Sequence, residues 1–237
     1  EPISTDEKLI AALAMPVKVN EVSAGNTVYC NDYFKRNDWF ELYNNTDTDL
    51  NLAGLYVSDD VNNPMKYQIP SPSTVPGGSA AWTLPAGAHR VVWADELEGM
   101  TQLHAGFKLS NTANQMVIVC SSDEFVNNNA DYFKKHPGLK SFVDGMLYAS
   151  HDGLQSVGRY PDGGTTFYLM NRPTIERTNT VVASDQQVGT DQSWMELADR
   201  RFTLQLAQGW NWVSHPLVTP VASTKLSAQA QRIVGQT

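Results

Sequence analysis

Charge is scarce in this chain, and positive charge is the scarcer sign. Only 18% of its 237 residues are Asp, Glu, Lys or Arg, against about 25% in an average globular chain. Seventeen basic residues face 25 acidic ones, for a net charge of −8. A duplex-binding domain neutralises phosphates with a basic face, so nucleic acid is not an expected partner. Long apolar runs are missing too. Segments such as Val117-Ile118-Val119 are short, and even Leu9–Met15 runs to only seven apolar residues, whereas a membrane helix needs about 20. Direct membrane insertion is therefore not expected. No basic stretch leads into an apolar one as in a signal peptide, and position 1 is Glu. The chain is expected to be mature after processing or cut from a longer polypeptide, whose other domains count among its partners. Cysteine is limited to Cys30 and Cys120, at no metal-binding spacing. Two readings stay open for them: free thiols, or one disulfide closing a long loop.

Motifs of catalysis are also absent. The sequence holds no phosphate-binding glycine loop, no dinucleotide fingerprint and no G-x-S-x-G elbow. Its five histidines show no i, i+4 pair of the kind that binds zinc on a helix.

What is present is an ordinary apolar share, 41%, and a strong two-residue period. Residues 4–15 read as a short helix, capped by Ser4 or Thr5 and stopped by Pro16, with Leu9, Ile10 and Leu13 on one face. From Val17 the period changes, and Val17, Val19 and Glu21 are expected on one face of a strand. Residues 39–43 (WFELY), 90–94 (RVVWA), 115–120 (QMVIVC), 145–150, 156–160 and 165–170 read as further strands. Residues 70–88 suggest a wandering surface connection, and 103–110 a looping segment with one buried aromatic. Residues 122–136 suggest one or two short helices capped by Ser122. Pro161-Asp162-Gly163-Gly164 is a strong turn signal. Many short strands between turns argue for a β-sandwich.

The order of several blocks then resembles a known family. They are Val19-Asn20-Glu21-Val22, Asp38-Trp39-Phe40-Glu41-Leu42-Tyr43-Asn44, Leu52-Ala53-Gly54-Leu55-Tyr56-Val57-Ser58-Asp59-Asp60 and Lys66-Tyr67-Gln68-Ile69-Pro70. Leu84-Pro85-Ala86-Gly87, Val91-Val92-Trp93-Ala94, Leu103-His104, Phe107-Lys108-Leu109-Ser110 and Gly158-Arg159-Tyr160-Pro161-Asp162-Gly163 follow. In this order the chain is similar to the bacterial lamin-tail domain. The resemblance implies an all-β, immunoglobulin-like β-sandwich in an exported protein, read as a binding or spacer module without its own chemistry. The expected layout is an N-terminal helix over 1–16, the sandwich over 17–179, a linker over 180–199, and over 200–237 either a second β-rich module or an extension packed on the sandwich. Two segments depart from the family pattern: the aromatic loop 26–37 and the helical insertion 122–139. Long loops on a rigid sandwich carry binding specificity. Tyr33, Phe34, Tyr132 and Phe133 are therefore candidate contacts, the other reading being that these segments cover sheet edges.

Other candidates come from the residues themselves. Glu21 and Glu41 stand on adjacent expected strands and can face each other. Such a pair can serve acid–base chemistry or accept hydrogen bonds from backbone groups, Arg159 or Lys66. The structural role is preferred for Glu21, Glu41 and Arg159, and core packing for Trp39 and Trp93. Trp82 lies in a Pro/Gly/Ser-rich stretch and is expected as an exposed ring. Residues 47–51 start like a calcium loop but lack its later Gly and Glu. Asp59, Asp60 and Asn62 form a second acidic loop whose oxygens can hold Ca²⁺; no other cofactor is expected. The sum points to a non-catalytic extracellular module, at a bacterial cell surface, in the periplasm or secreted, that recognises a protein or polysaccharide. The alternatives are a carbohydrate-binding module serving a neighbouring enzyme, and a metal-dependent enzyme using Glu21, Glu41, Asp59 or Asp60.

Overall fold

The computed structural model describes residues 12–72, 82–97, 99 and 101–201. The helix expected before Pro16 and the module expected over 200–237 fall almost wholly outside the described residues. Thirteen strands are present among them: β1 (Val17–Ser23), β2 (Asp38–Asn44), β3 (Leu50–Asn51), β4 (Tyr56–Ser58), β5 (Tyr67–Gln68), β6 (Thr83–Leu84), β7 (His89–Ala94), β8 (Leu103–Ala105), β9 (Gln115–Cys120), β10 (Val143–Tyr148), β11 (Ser156–Arg159), β12 (Thr166–Met170) and β13 (Gln186–Thr190). Helices α1 (Asp123–Asn128) and α2 (Ala130–Lys135) lie between β9 and β10, and α3 (Asp191–Arg201) follows β13.

The strands form a seven-stranded sheet in the order β13-β12-β11-β1-β2-β7-β8, a four-stranded sheet β10-β9-β4-β5 and a small pair β3-β6. Pairing is antiparallel except between β7 and β8. The expected loop over 103–110 thus opens with a short parallel strand, and its aromatic, Phe107, is buried as expected. The architecture is the expected β-sandwich. One apolar core joins the layers: Val19, Val22, Phe40, Leu42 and Val92 from the large sheet, Val57, Val117, Val119 and Met146 from the smaller.

A β-bulge between Val19 and Glu21 decides what β1 shows to each side. Val19 stands opposite Leu42 and Val22 opposite Phe40, all in the core, while Glu21 stands opposite Glu41. The bulge adds a residue and turns Glu21 away from Val19. The strict alternation that put both on one face is corrected accordingly.

Four charges are buried where β1, β10, β11 and the start of α3 meet. Lys18 Nζ lies 2.8 Å from Asp144 Oδ1 and 3.3 Å from Asp191 Oδ2. Arg159 donates to Asp191 Oδ1 at 2.7 Å and to Asp144 at 3.1 Å. All four side chains are at most 1% exposed. Two cations and two anions cancel, and the remaining donors are also used. Lys18 donates to Ala12 O, Arg159 to Val19 O and Gly145 O, and Trp194 Nε1 to Asp191 Oδ1. The Arg159 guanidinium also stacks 4.7 Å above the Phe167 ring. Burial pushes the Asp144 carboxyl above its ordinary range, against the pull of Arg159 and Lys18.

This quartet corrects the expected linker over 180–199. That segment supplies β13, paired to β12, and the first turns of α3, with Asp191 and Trp194 buried. Its polar surface misled, because β13 is an edge strand with exposed glutamines.

Replacing Arg159 by Met leaves two buried carboxylates facing one ammonium. Removing one member of a buried, hydrogen-bonded ion network costs about 3–5 kcal/mol. Urea denaturation of R159M is expected to show a loss of that size; a loss below about 1 kcal/mol would mean the quartet does not hold the layers together.

Candidate functional site

The candidate binding residues divide sharply. Phe34 is 90% exposed, at the tip of loop 26–37, and its backbone is left-handed at φ +58°. That conformation is a rare one for a bulky side chain. The tip is fixed by Asn31, which is buried. Asn31 Oδ1 accepts from the N–H of Tyr33 at 3.0 Å and of Lys35 at 2.9 Å. Asn31 N donates to Lys35 O, and Phe34 N to Asn31 O. Tyr33 is half-buried and meets the His104 ring edge-on at 5.4 Å. Lys35 and Arg36 flank Phe34 and are exposed.

Loop 26–37 is bound to the sheet by a histidine between two carboxylates. His104, on β8, lies 2.9 Å through Nδ1 from Asp95 Oδ1 and 2.8 Å through Nε2 from Asp32 Oδ1. Both partners accept only, so both ring nitrogens must carry protons and the ring is a cation. Burial draws its pKa down, but the bonds to Asp95 and Asp32 more than offset that, and the net direction is upward. Burial likewise raises Asp32 and Asp95, and their hydrogen bonds outweigh it, leaving both below the ordinary range. Asp95 also accepts from Asn31 Nδ2 and Asn37 Nδ2, so it gathers both ends of the loop tip. The acidic partners of His104 were not legible in the sequence, since Asp32 lies 72 residues away.

The insertion 122–139 closes the core. Ser122 caps α1, accepting from Phe125 N and donating to Gly54 O. Phe133 is 1% exposed and packs edge-on against Phe125 at 5.9 Å. It is therefore not available as a contact residue. Tyr132 is half-buried and stacks on His136 at 4.5 Å. Trp82 is a second correction: it is 1% exposed, leading into β6 beside Leu50, Leu52 and Leu84 of the core. The turn-rich stretch before it concealed that burial.

Asp59 is paired with Lys66 Nζ at 2.6 Å. The Asp60 carboxylate accepts from Asn62 N at 2.9 Å, as in an Asx turn. Among the described residues no group of three or more His, Cys, Asp or Glu is placed to hold a metal ion. Cys30 is exposed, Cys120 is buried, and both are free thiols. Burial pushes the Cys120 thiol up to about 11, so it is inert at neutral pH.

Glu21 and Glu41 do face each other, directly across β1 and β2. Neither meets Arg159 or Lys66. Glu21 Oε1 accepts from Ser156 Oγ at 2.6 Å and Thr174 N at 2.9 Å, and Glu41 Oε2 from Glu176 N. Trp39 and Trp93 form a small outer cluster with Val91, separate from the main core and covered by Tyr29 and Ile175. Beside it opens a cleft of about 450 Å³, lined by His89, Arg90, Glu176 and Arg177 among others. The segment 173–179 that covers this face carried no signal in the sequence beyond its polarity.

The chain matches the family model described as Lamin Tail Domain over residues 13–137. No characterised protein and no solved structure matches it significantly. The family is immunoglobulin-like and typically non-catalytic, consistent with a non-catalytic module. With the matching segment covering more than half of the 237 residues and the sandwich it implies in place, the chain belongs to the lamin tail domain family.

Proposed function

We propose that this protein is a binding module of a larger exported protein and recognises a macromolecular partner through loop 26–37. The observation that carries this reading is Phe34, 90% exposed on a left-handed backbone. A strained, solvated aromatic ring has no folding role, and such strain collects at functional positions. The loop around it is ordered in advance by Asn31 and by the His104 cation. Pre-ordering removes much of the entropy cost that a flexible loop pays on binding. Lys35 and Arg36 beside the ring favour a partner offering an apolar pocket with acidic groups at its rim. The low charge and Asn-rich composition support an exported β-protein, and the net charge of −8 speaks against nucleic acid. The carbohydrate-module alternative drew on an exposed Trp82, and that ring is buried. The calcium proposal for Asp59, Asp60 and Asn62 is weakened by the Lys66 pair.

Phe34→Ala tests the loop. Ala tolerates φ +58° no better than Phe, so the backbone is unchanged in kind. Binding to targets found on peptide and glycan arrays is expected to weaken about thirtyfold, as for a hot-spot aromatic worth about 2 kcal/mol. Stability should stay within about 0.5 kcal/mol. Array targets bound equally well by F34A would place recognition elsewhere.

The His104 clasp makes the loop pH-dependent. Because its pKa is raised, the clasp contributes fully below the ordinary histidine value of about 6.5. The contribution is lost as pH rises through the higher folded value. An NMR titration should place the His104 midpoint above 6.5, with amide exchange at residues 33–36 rising only beyond it. A midpoint at or below 6.5 would mean the ring is not held as a cation.

A further inference from the structure

Residues 173–179 cross the outer face of the large sheet as a strap. Its ends are buried and its middle is not: Pro173 and Asn179 are buried, while residues 176–178 are exposed. Tyr29 holds the first end, its hydroxyl donating to Pro173 O at 3.0 Å. Asn179 holds the other, with Nδ2 donating to Asn20 O and Arg159 O, and its N–H donating to Asp162 Oδ1. Between these anchors Ile175 packs over Trp39, Val91 and Trp93. The strap's polar groups rest on the two facing glutamates.

The contacts around those glutamates favour the protonated acid over the anion. Thr174 Oγ1 lies 2.7 Å from Glu21 Oε2 and 2.7 Å from Asn179 Oδ1. The two Nδ2 bonds fix the orientation of the Asn179 amide, so Oδ1 only accepts. A hydroxyl has one proton to give. Given to Asn179, it leaves Glu21 Oε2 facing an oxygen lone pair, and the contact is satisfied only when Glu21 carries the proton and donates it to Thr174. Glu41 gives the same answer by another route. Its Oε1 is buried with no hydrogen-bond partner, a severe cost for an anion and a modest one for a neutral acid.

Burial outweighs the charges around the pair. Tyr29 approaches from loop 26–37, Glu176 from the strap and Asp162 from the β11–β12 turn, and the last two raise Glu41 further. His89 on β7 is the basic group felt by Glu21, and it lies 3.1 Å from Asp162. Arg90 is drawn towards Glu176 at 3.7 Å, and Arg177 stands at the cleft. Arg159 on β11 turns its guanidinium to Asp144 and Asp191.

We propose that residues 173–179 are a proton-held strap, closed while the Glu21–Glu41 pair carries protons and lifting from the Trp39–Trp93 face when both carboxyls ionise. Two features suit that face to exposure. Trp39 Nε1 and Trp93 Nε1 are buried without partners, so opening gives two indole donors the hydrogen bonds they lack. The strap is also short and tied at both ends, so it can lift without unfolding the sheet. This site is separate from loop 26–37.

The direction with pH is fixed. Burial, as the largest effect, raises Glu21 from 4.5 to about 7; burial and then the neighbouring Glu21 charge raise Glu41 well above the ordinary value. Closure is fully favoured below about 4.5, the unfolded value, and is lost as pH rises through the folded values.

Amide exchange of residues 174–178, corrected for the chemical rate, should quicken at least tenfold between pH 5 and pH 8.5 in the whole chain. Exchange in β9 should not change. In Glu21→Gln the side-chain amide donates to Thr174 Oγ1 at any pH, so the strap should stay protected at pH 8.5. Equal protection of the wild type at both pH values overturns the proposal, as does an unchanged pH response in E21Q. Should E21Q not fold, carboxyl-carbon NMR of the wild type decides: a Glu21 midpoint near 7 supports the strap, and one near 4.5 overturns it.

Discussion

The structure depends on two cations and two anions buried at one point. Lys18, Asp144, Arg159 and Asp191 come from β1, β10, β11 and α3, so their contact ties the large sheet to the smaller one and both to the terminal helix. Apolar residues of equal volume can match such a network in stability. What the charges add is a constraint on geometry, because each of them is satisfied only by an arrangement that returns a partner to it. The hydrogen bonds from Val19 N to Asp144 and from Trp194 Nε1 to Asp191 extend that constraint to backbone and core.

The same strand carries the opposite solution three residues on. Lys18 is buried with its countercharges, whereas Glu21 is buried against another glutamate. The difference originates in the bulge between Val19 and Glu21. Without it, Glu21 would follow Val19 into the core, and the strap would have no acid to rest on. β1 therefore carries a fixed ionic anchor near its start and a protonation-dependent contact near its end. A ladder of strands stable enough to hold both is what makes a local, pH-dependent movement feasible without global unfolding.

The sequence disclosed the parts of this molecule that repeat over short distances. Strands such as β2, β7 and β9 announced themselves by aromatic and β-branched content, and the turn at Pro161-Asp162-Gly163-Gly164 by its residue types. The facing of Glu21 and Glu41 was also legible, because consecutive strands commonly pair. What was hidden depends on distant partners or on one inserted residue. Alternation misassigned Glu21 because a bulge leaves no composition signal. Trp82 looked exposed because its neighbours are turn formers, yet burial is set by what a strand packs on. Phe133 looked like part of a binding loop because the aromatic cluster it joins, Phe125 with Phe142, is assembled only when the chain folds. The segment beyond 180 read as a linker because Asp191 finds Lys18 at a separation of 173 residues.

That last separation bears on where the domain ends. The family match stops at residue 137, before Asp144, Arg159 and Asp191. Within the matched segment Lys18 alone represents the quartet, as a buried ammonium without a carboxylate, which is the costly state. β1 would also lose β11, and β9 would lose β10. Glu21 would lose Ser156 and Thr174, and the outer cluster of Trp39 and Trp93 would lose Ile175. The segment that matches the family model supplies most of the core, and the strands and charges that complete this sandwich lie beyond it. The physical unit extends at least through the first turns of α3, where Asp191 and Trp194 are buried.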